Sequence, residues 1–149
     1  MKKVLFFGLI AFIFAACGKD KFESVPQVKI KSFGPDVVIK GQTFKLTAEI
    51  TDKEGDLQDT VLLVRKRFTG TALFQTDTTK LSLKELGFPN APTLELSLTF
   101  TYGEDVPGTI FYRIQEAIDR GLVYGLIVSD KAKNKSTYVE TKRILLKKV

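Results

Sequence analysis

Residues 43–51 read Thr-Phe-Lys-Leu-Thr-Ala-Glu-Ile-Thr, and this stretch decides the fold class. Apolar and polar side chains alternate along it with a period of two, which is typical of a β-strand with one buried face. Residues 93–102 repeat the same alternation. Both stretches therefore predict an all-β protein. The predicted inward side chains are Phe44, Leu46, Ala48, Ile50, Leu94, Leu96, Leu98, Phe100 and Tyr102.

Further short strands, separated by turn residues, are predicted on either side of these two. They are residues 27–33, 37–39, 60–68, 122–129 and 136–147. In residues 60–68 we expect Leu62, Val64 and Phe68 to face inward and Arg65 and Arg67 to face outward. Residues 69–92 and 109–119 fit either strands or short helices. About seven strands without strand–helix alternation predict a single antiparallel β-sandwich, which follows an N-terminal signal helix.

The N-terminus has the three-part layout of a secretory signal. Lys2 and Lys3 precede an apolar run over residues 4–14, and small residues then lead to Cys17. The run is shorter than the ~20 apolar residues that a membrane-spanning helix needs. We therefore divide the chain into a signal peptide (1–16), an acylated Cys with a polar tether (17–26) and one domain (27–149).

Phe14-Ala15-Ala16-Cys17 resembles the lipobox of bacterial lipoproteins. The resemblance implies that the Cys17 thiol carries diacylglycerol, that the chain is cut before it and that the new amine is acylated, as by palmitate. An ordinary secretory signal that happens to end near a Cys is the alternative. In such lipoproteins Gly18 favours the outer membrane over inner-membrane retention, so the expected location is the bacterial cell envelope, with the membrane face left open.

Two further stretches resemble immunoglobulin-like (cadherin-like) domains of bacterial envelope proteins. Residues 50–56 read Ile-Thr-Asp-Lys-Glu-Gly-Asp, and residues 127–130 read Ile-Val-Ser-Asp before Asn134-Lys-Ser. The layout is most similar to small lipoproteins of Bacteroidetes-type bacteria. It implies an immunoglobulin-like sandwich, although Lys133 stands where the pattern usually has Gly.

Composition removes several function classes. The 149 residues include no His, no Trp and one Cys, which excludes Ser-His-Asp and Cys-His nucleophile systems and His-based metal sites. The formal charge is +6, and removal of residues 1–16 takes away two Lys and no acid, which leaves 21 − 17 = +4. Two basic runs, 65–67 and the alternating lysines of 131–135, are interpreted as solvated edges, and no nucleic-acid partner is expected. Two carboxylate pairs, Glu104-Asp105 and Glu116 with Asp119, lie in no recognisable cleft, so we expect no enzyme.

Clustered acids predict one candidate metal site. Asp52, Glu54 and Asp56 place three carboxylates within five residues, and Asp130 and Asn134 lie in a second loop. Calcium takes six to eight oxygen ligands from such groups. Asp, Glu and Asn are also ordinary turn residues that bond their own backbone, so a plain pair of turns is the alternative. No other cofactor is expected.

Two tripeptides, Asp59-Thr60-Val61 and Asp77-Thr78-Thr79, resemble the acceptor used for O-glycosylation of exported proteins in Bacteroidetes-type bacteria. The candidate sites are thus Thr60 and Thr78. The predicted function is a non-catalytic binding or assembly module of the envelope, held at the membrane by its lipid anchor, with an envelope protein or glycan as partner. A calcium-dependent adhesion module at the cell surface is the alternative.

Overall fold

The computed structural model describes residues 23–57, 59–113 and 117–148. The predicted signal peptide (1–16), the lipidation residue Cys17 and the first part of the tether lie outside the described residues, as does Glu116. Among the described residues there is no helix of the length and hydropathy that crossing a bilayer requires.

Ten strands form two facing sheets, and the described residues contain no helix. The strands are β1 (Gln27–Gly34), β2 (Val37–Val38), β3 (Thr43–Thr51), β4 (Thr60–Thr69), β5 (Ala72–Ser82), β6 (Thr93–Tyr102), β7 (Ile110–Tyr112), β8 (Arg120–Ser129), β9 (Val139–Glu140) and β10 (Ile144–Leu146). One sheet has the order β1-β3-β6-β7, and the other has the order β2-β10-β8-β4-β5 with β9 paired to β8. The predicted all-β, immunoglobulin-like sandwich is confirmed.

The two alternating stretches pair directly with each other. Antiparallel register joins β3 to β6 from Thr43 opposite Thr101 to Thr51 opposite Thr93. All nine side chains that the alternation predicted to face inward are buried in the core. Two short pairs, β2–β10 and β6–β7, are parallel rather than antiparallel. In both, the strands are joined by longer connections than a tight hairpin turn provides.

Aromatic rings join the two sheets at the centre of the core. Phe100 on β6 stacks on Phe44 of its own sheet and on Tyr124 of the facing sheet, with centroid distances of 4.9 Å in both cases. Phe33 meets Phe44 and Tyr124 edge-on at 6.0 and 5.8 Å. The core therefore depends on one contiguous aromatic cluster.

The prediction of which β4 side chains face the core is wrong. Val61 and Leu63 are buried in the core, and Arg65 follows on the same face with its guanidinium 5.1 Å from the centre of the Tyr112 ring in the other sheet. Arg67 is only 6% exposed. The strand has apolar residues on both faces, so alternation alone could not choose the inner one. Polar partners on β5 make the inward arginines tolerable, because buried charges need hydrogen-bonded counter-groups.

The arginine network between the sheets predicts a pH-dependent stability term. Arg65 donates from Nε and Nη2 to Asp77 Oδ2 at 3.2 and 2.8 Å, and Arg67 donates to Gln75. The hydrogen bond from Arg65 lowers the pKa of Asp77 below its usual 3.8. A lowered carboxyl pKa stabilises the folded state above the unfolded value, and this stabilisation is lost as pH falls through the folded value.

We therefore expect Asp77→Asn to lower the free energy of unfolding at pH 7. The pair is about one-third exposed, so a loss of ~0.5–1 kcal/mol is expected. Urea denaturation at pH 7 and at pH 3 measures the difference between variant and parent. The difference should shrink at pH 3, and a difference that is equal at both values would contradict an ionic contribution.

The two stretches whose sequences fitted either strands or short helices both contain strands. Most of residues 69–92 is the long edge strand β5 followed by a turn at residues 83–87, and residues 109–119 contribute β7. The continuous strand expected over residues 136–147 is instead the two short strands β9 and β10. Thr141 lies between them, where its backbone and side chain both bond the backbone of Tyr124.

Candidate functional site

Three carboxylates from two loops meet at one end of the sandwich. Asp52 lies directly after β3, Asp56 follows in the loop to β4, and Asp130 lies directly after β8. One carboxylate oxygen from each lies within 4.8 Å of the other two. We call Asp52, Asp56 and Asp130 the carboxylate cluster. The two predicted acidic loops are therefore brought together, because β3 and β8 end at the same end of the sandwich.

The cluster is largely enclosed by the protein. Asp52 is 0% exposed, Asp130 is 1% exposed and Asp56 is half-buried. Asp52 Oδ2 accepts hydrogen bonds from the backbone N–H groups of Gly55 and Asp56 at 3.0 and 3.4 Å. Gly55 has φ +69°, which suits a residue without a side chain in this tight turn. The loop thus holds the Asp52 carboxylate in place by its own backbone.

The other two predicted metal ligands, Glu54 and Asn134, are placed differently from the three aspartates. Glu54 is exposed and contributes no oxygen to the carboxylate cluster. Asn134 lies behind Asp130, where its backbone N–H and side-chain Nδ2 donate to the two Asp130 oxygens at 2.8 Å each. Lys131 then ties the loops together, since its N–H donates to the Asp56 carbonyl at 3.2 Å. Asn134 therefore positions Asp130.

The cluster concentrates three acidic side chains in one place. Within the described parts of the chain, no Lys or Arg forms an ion pair with Asp52, Asp56 or Asp130. Burial is the largest cause that raises the pKa of Asp52, and the adjacent Asp56 carboxyl raises it further. Two side-chain atoms, Asp52 Oδ1 and Asp56 Oδ1, are buried and accept no hydrogen bond among the described residues. Such unsatisfied oxygens are rare in folded proteins.

The two glycosylation candidates differ in exposure. Thr60 is 8% exposed at the start of β4, between β5 and β8, whereas Thr78 lies exposed on the edge strand β5. A glycan on Thr60 would have to displace packed neighbours. The structure thus leaves room for the modification at Thr78 and disfavours it at Thr60.

A second candidate surface, which the sequence did not indicate, lies at the opposite end of the sandwich. Leu73 and Phe74, just after the β4–β5 turn, are each 54% exposed. The Arg120 guanidinium lies 4.1 Å from the centre of the Phe74 ring, and Arg143 lies 3.9 Å from that of Phe68. Arg143 also donates to the Gly70 carbonyl at 2.9 Å. We call residues 68–74 the hairpin tip. Only the Thr69-Gly-Thr71 turn beside an apolar pair could have signalled it.

The basic run 131–135 and the pair Glu104-Asp105 are exposed, whereas the run 65–67 is not the solvated edge that the sequence predicted, because Arg65 and Arg67 face inward. Lys131, Lys133 and Lys135 are exposed, and Lys133 pairs with Asp59 at 3.0 Å. Glu104 and Asp105 are exposed in the loop after β6. These groups are thus solvated surface charges.

No protein-family model matches the chain, and no curated protein matches it by sequence. Among solved structures, it is similar to the sporulation control protein Spo0M from Bacillus subtilis, with 14% identity and a TM-score of 0.41, over 84% of this chain and 50% of that one. This chain therefore spans about half the length of Spo0M.

Two further solved structures are similar over nearly their whole length. The CARDB domain of the PF1109 protein from Pyrococcus furiosus, solved with di-metal ions, has 16% identity and a TM-score of 0.31, over 86% of this chain and 91% of that one. Murine CRIg has 14% identity and a TM-score of 0.36, over 83% and 98%. At these identities and TM-scores, none of the similarities says what this chain binds.

Proposed function

We propose that the protein is a lipid-anchored, non-catalytic binding or assembly module of the bacterial cell envelope. The anchor is the acylated Cys17 that the lipobox-like sequence predicts. The single observation that carries the proposal is that the sandwich receives the tether at one end and presents the exposed hairpin tip at the other.

The tether joins the sandwich beside the carboxylate cluster. Glu23, near the end of the tether, accepts a hydrogen bond through its carbonyl from Lys53 N at 2.9 Å. We call this end of the sandwich, around Glu23 and Lys53, the tether end. Strand β4 runs ten residues from there to the hairpin tip, which corresponds to about 30 Å at ~3.3 Å per residue. A module anchored at Cys17 therefore holds the hairpin tip away from its own lipid anchor, towards a partner.

The hairpin tip has the composition of a protein-binding surface. Exposed apolar and aromatic side chains combined with Arg are enriched at the centres of interfaces. The stacking of Arg120 and Arg143 on aromatic rings holds the tip in one shape, which reduces the entropy lost on binding. An envelope protein is thus the favoured partner, and a glycan is the second.

Protease shaving tests the location on which the proposal depends. Cells are treated with protease when intact, after osmotic opening of the outer membrane and after full lysis, and residues 27–149 are detected each time. Cleavage in intact cells places the domain on the surface, and cleavage after osmotic opening places it in the periplasm. Protection until full lysis would contradict an envelope module.

Site-specific photocrosslinking tests the binding surface. A photoreactive residue at Leu73 in the hairpin tip is compared with one at Leu86, which is similarly exposed but lies at the tether end. We expect a discrete adduct of fixed mass from position 73 and none from position 86. Equal labelling from both positions would contradict a partner site at the hairpin tip.

A calcium-dependent adhesion module is the second candidate function. The carboxylate cluster favours it, since clustered buried oxygens suit calcium. In an adhesion module the ion has to support contact with another surface. Shaving and crosslinking, repeated with calcium and with chelator, separate this candidate from the first.

A further inference from the structure

We propose that Asp52, Asp56 and Asp130 bind one Ca²⁺ ion that fastens the two sheets together at the tether end. The proposal concerns a metal site inside the domain and does not depend on which partner the hairpin tip binds. It also differs from adhesion by calcium, because the ion would be enclosed by the protein and would not bridge to another surface.

The first argument is charge. Three carboxylates converge in an enclosed position, and none of them has an ion-pair partner in the described parts of the chain. Burying charged groups is unfavourable unless they are paired, hydrogen-bonded or coordinated to a metal. Hydrogen bonds from Gly55, Asp56 and Asn134 satisfy only part of the cluster. A divalent cation supplies the missing positive charge.

The second argument is the pair of unsatisfied oxygens. Asp52 Oδ1 belongs to a fully buried side chain and accepts no hydrogen bond from the described residues, although the other oxygen of the same carboxylate accepts two. Asp56 Oδ1 is likewise buried with no donor among them. If the two loops were plain turns stabilised only by their own backbone hydrogen bonds, there would be no reason for buried carboxylate oxygens without a donor. They are the atoms that a cation would coordinate.

The ligand chemistry selects calcium among common metals. All the donors are oxygens, and the described residues contain no His or Cys to favour zinc, copper or iron. The three oxygens lie within 4.8 Å of one another. Ca²⁺ accepts several carboxylates in a flexible geometry, whereas Mg²⁺ keeps several waters and usually binds one or two carboxylates. Three enclosed carboxylates therefore favour calcium over magnesium.

The position of the site gives the ion a structural role. Asp52 follows β3 in one sheet and Asp130 follows β8 in the other, so one ion joins both sheets and the intervening loop. Domain residues 27–149 contain no Cys, so no disulfide can provide this link. The same loop carries the hydrogen bond to Glu23. Calcium would thus stabilise the end of the domain that receives the tether.

Thermal unfolding of the full chain in detergent tests the site. After treatment with EGTA, the protein is melted alone, with CaCl₂ and with MgCl₂. At calcium about 100-fold above Kd, we expect the melting temperature to rise by about 8 °C. Magnesium at the same concentration should raise it by less than half as much. No rise at 10 mM calcium, or an equal rise with magnesium, overturns the proposal.

Matched variants locate the effect. We expect Asp52→Asn and Asp130→Asn to abolish the calcium-induced shift, while Glu54→Gln, which removes an exposed acid from the same loop, keeps it. Asp52→Asn should melt no lower than calcium-free parent protein, because Asn keeps an acceptor for Gly55 and removes one of three repelling charges. A shift retained in Asp52→Asn, or lost in Glu54→Gln, would overturn the assignment of these ligands.

Discussion

Replacing Phe100 by alanine is expected to lower the free energy of unfolding by about 3–5 kcal/mol, as large-to-small changes of buried aromatic residues do. Phe100 is 1% exposed and stacks on Phe44 and Tyr124, so its ring contacts both sheets at once. Alanine would leave a cavity that strand-bound neighbours can fill only in part. Because domains are stable by only ~5–15 kcal/mol, the loss is a large fraction of the total.

Urea denaturation followed by circular dichroism measures this effect. We expect a lower midpoint with an unchanged slope, since the folded and unfolded surfaces stay similar. Phe111→Ala is the matched control, because Phe111 is an aromatic residue on the neighbouring strand β7 with 43% of its surface exposed. It should cost less than about 0.5 kcal/mol. A loss below 1 kcal/mol in Phe100→Ala would show that the aromatic cluster does not hold the sheets together.

The parts of the fold that could be predicted from the sequence are the strands with one solvent-exposed face and one buried face. Along β3 and β6 every second residue meets the core, so the side-chain period reports the burial directly. In β4 this signal fails, because Leu62 and Val64 alternate with Val61 and Leu63. The deciding partner of Arg65 is Asp77 on β5, an edge strand that is mostly exposed and therefore shows no alternation of its own. Which β4 side chains face the core depends on the pairing of β4 with β5, and the residue pattern of one strand does not contain that information.

The candidate site was predictable in its residue types but not in its electrostatics. The sequence indicated two acidic loops, and the common end of β3 and β8 brings them together. It did not indicate that Glu54 stays in solvent or that Asn134 bonds to Asp130. Lys133 has φ +73°, a left-handed conformation that costs more for a residue with a side chain than for glycine, and the sequence did not indicate it. The burial of the carboxylate cluster, and its lack of an ion pair within the part of the chain that the structure describes, arise only from packing.

Replacing Cys17 by serine, in a form whose signal peptide is still removed, is expected to release the protein from the membrane completely. The prediction rests on the lipobox-like sequence, because Cys17 lies outside the described residues. Each buried acyl CH₂ contributes ~0.8 kcal/mol, and a single chain binds membranes only marginally, whereas two or more anchor a protein stably. Serine has no thiol to accept diacylglycerol, and a lipoprotein signal that is not acylated is not cut at this position.

Cell fractionation with palmitate labelling measures the release. The parent protein should be labelled and sediment with membranes, whereas Cys17→Ser should be unlabelled. Uncleaved Cys17→Ser would still carry its apolar run, 4–14, so the variant is also made behind an ordinary secretory signal that is removed before residue 17. That form should be fully soluble in the periplasm and melt at the same temperature as the parent domain, because the substitution precedes the domain residues 27–149 in the sequence. If the parent protein is unlabelled and soluble, residues 1–16 are an ordinary secretory signal and the lipid anchor is wrong. The sandwich would then be secreted free, and the distance between tether end and hairpin tip would no longer orient a partner site relative to a membrane.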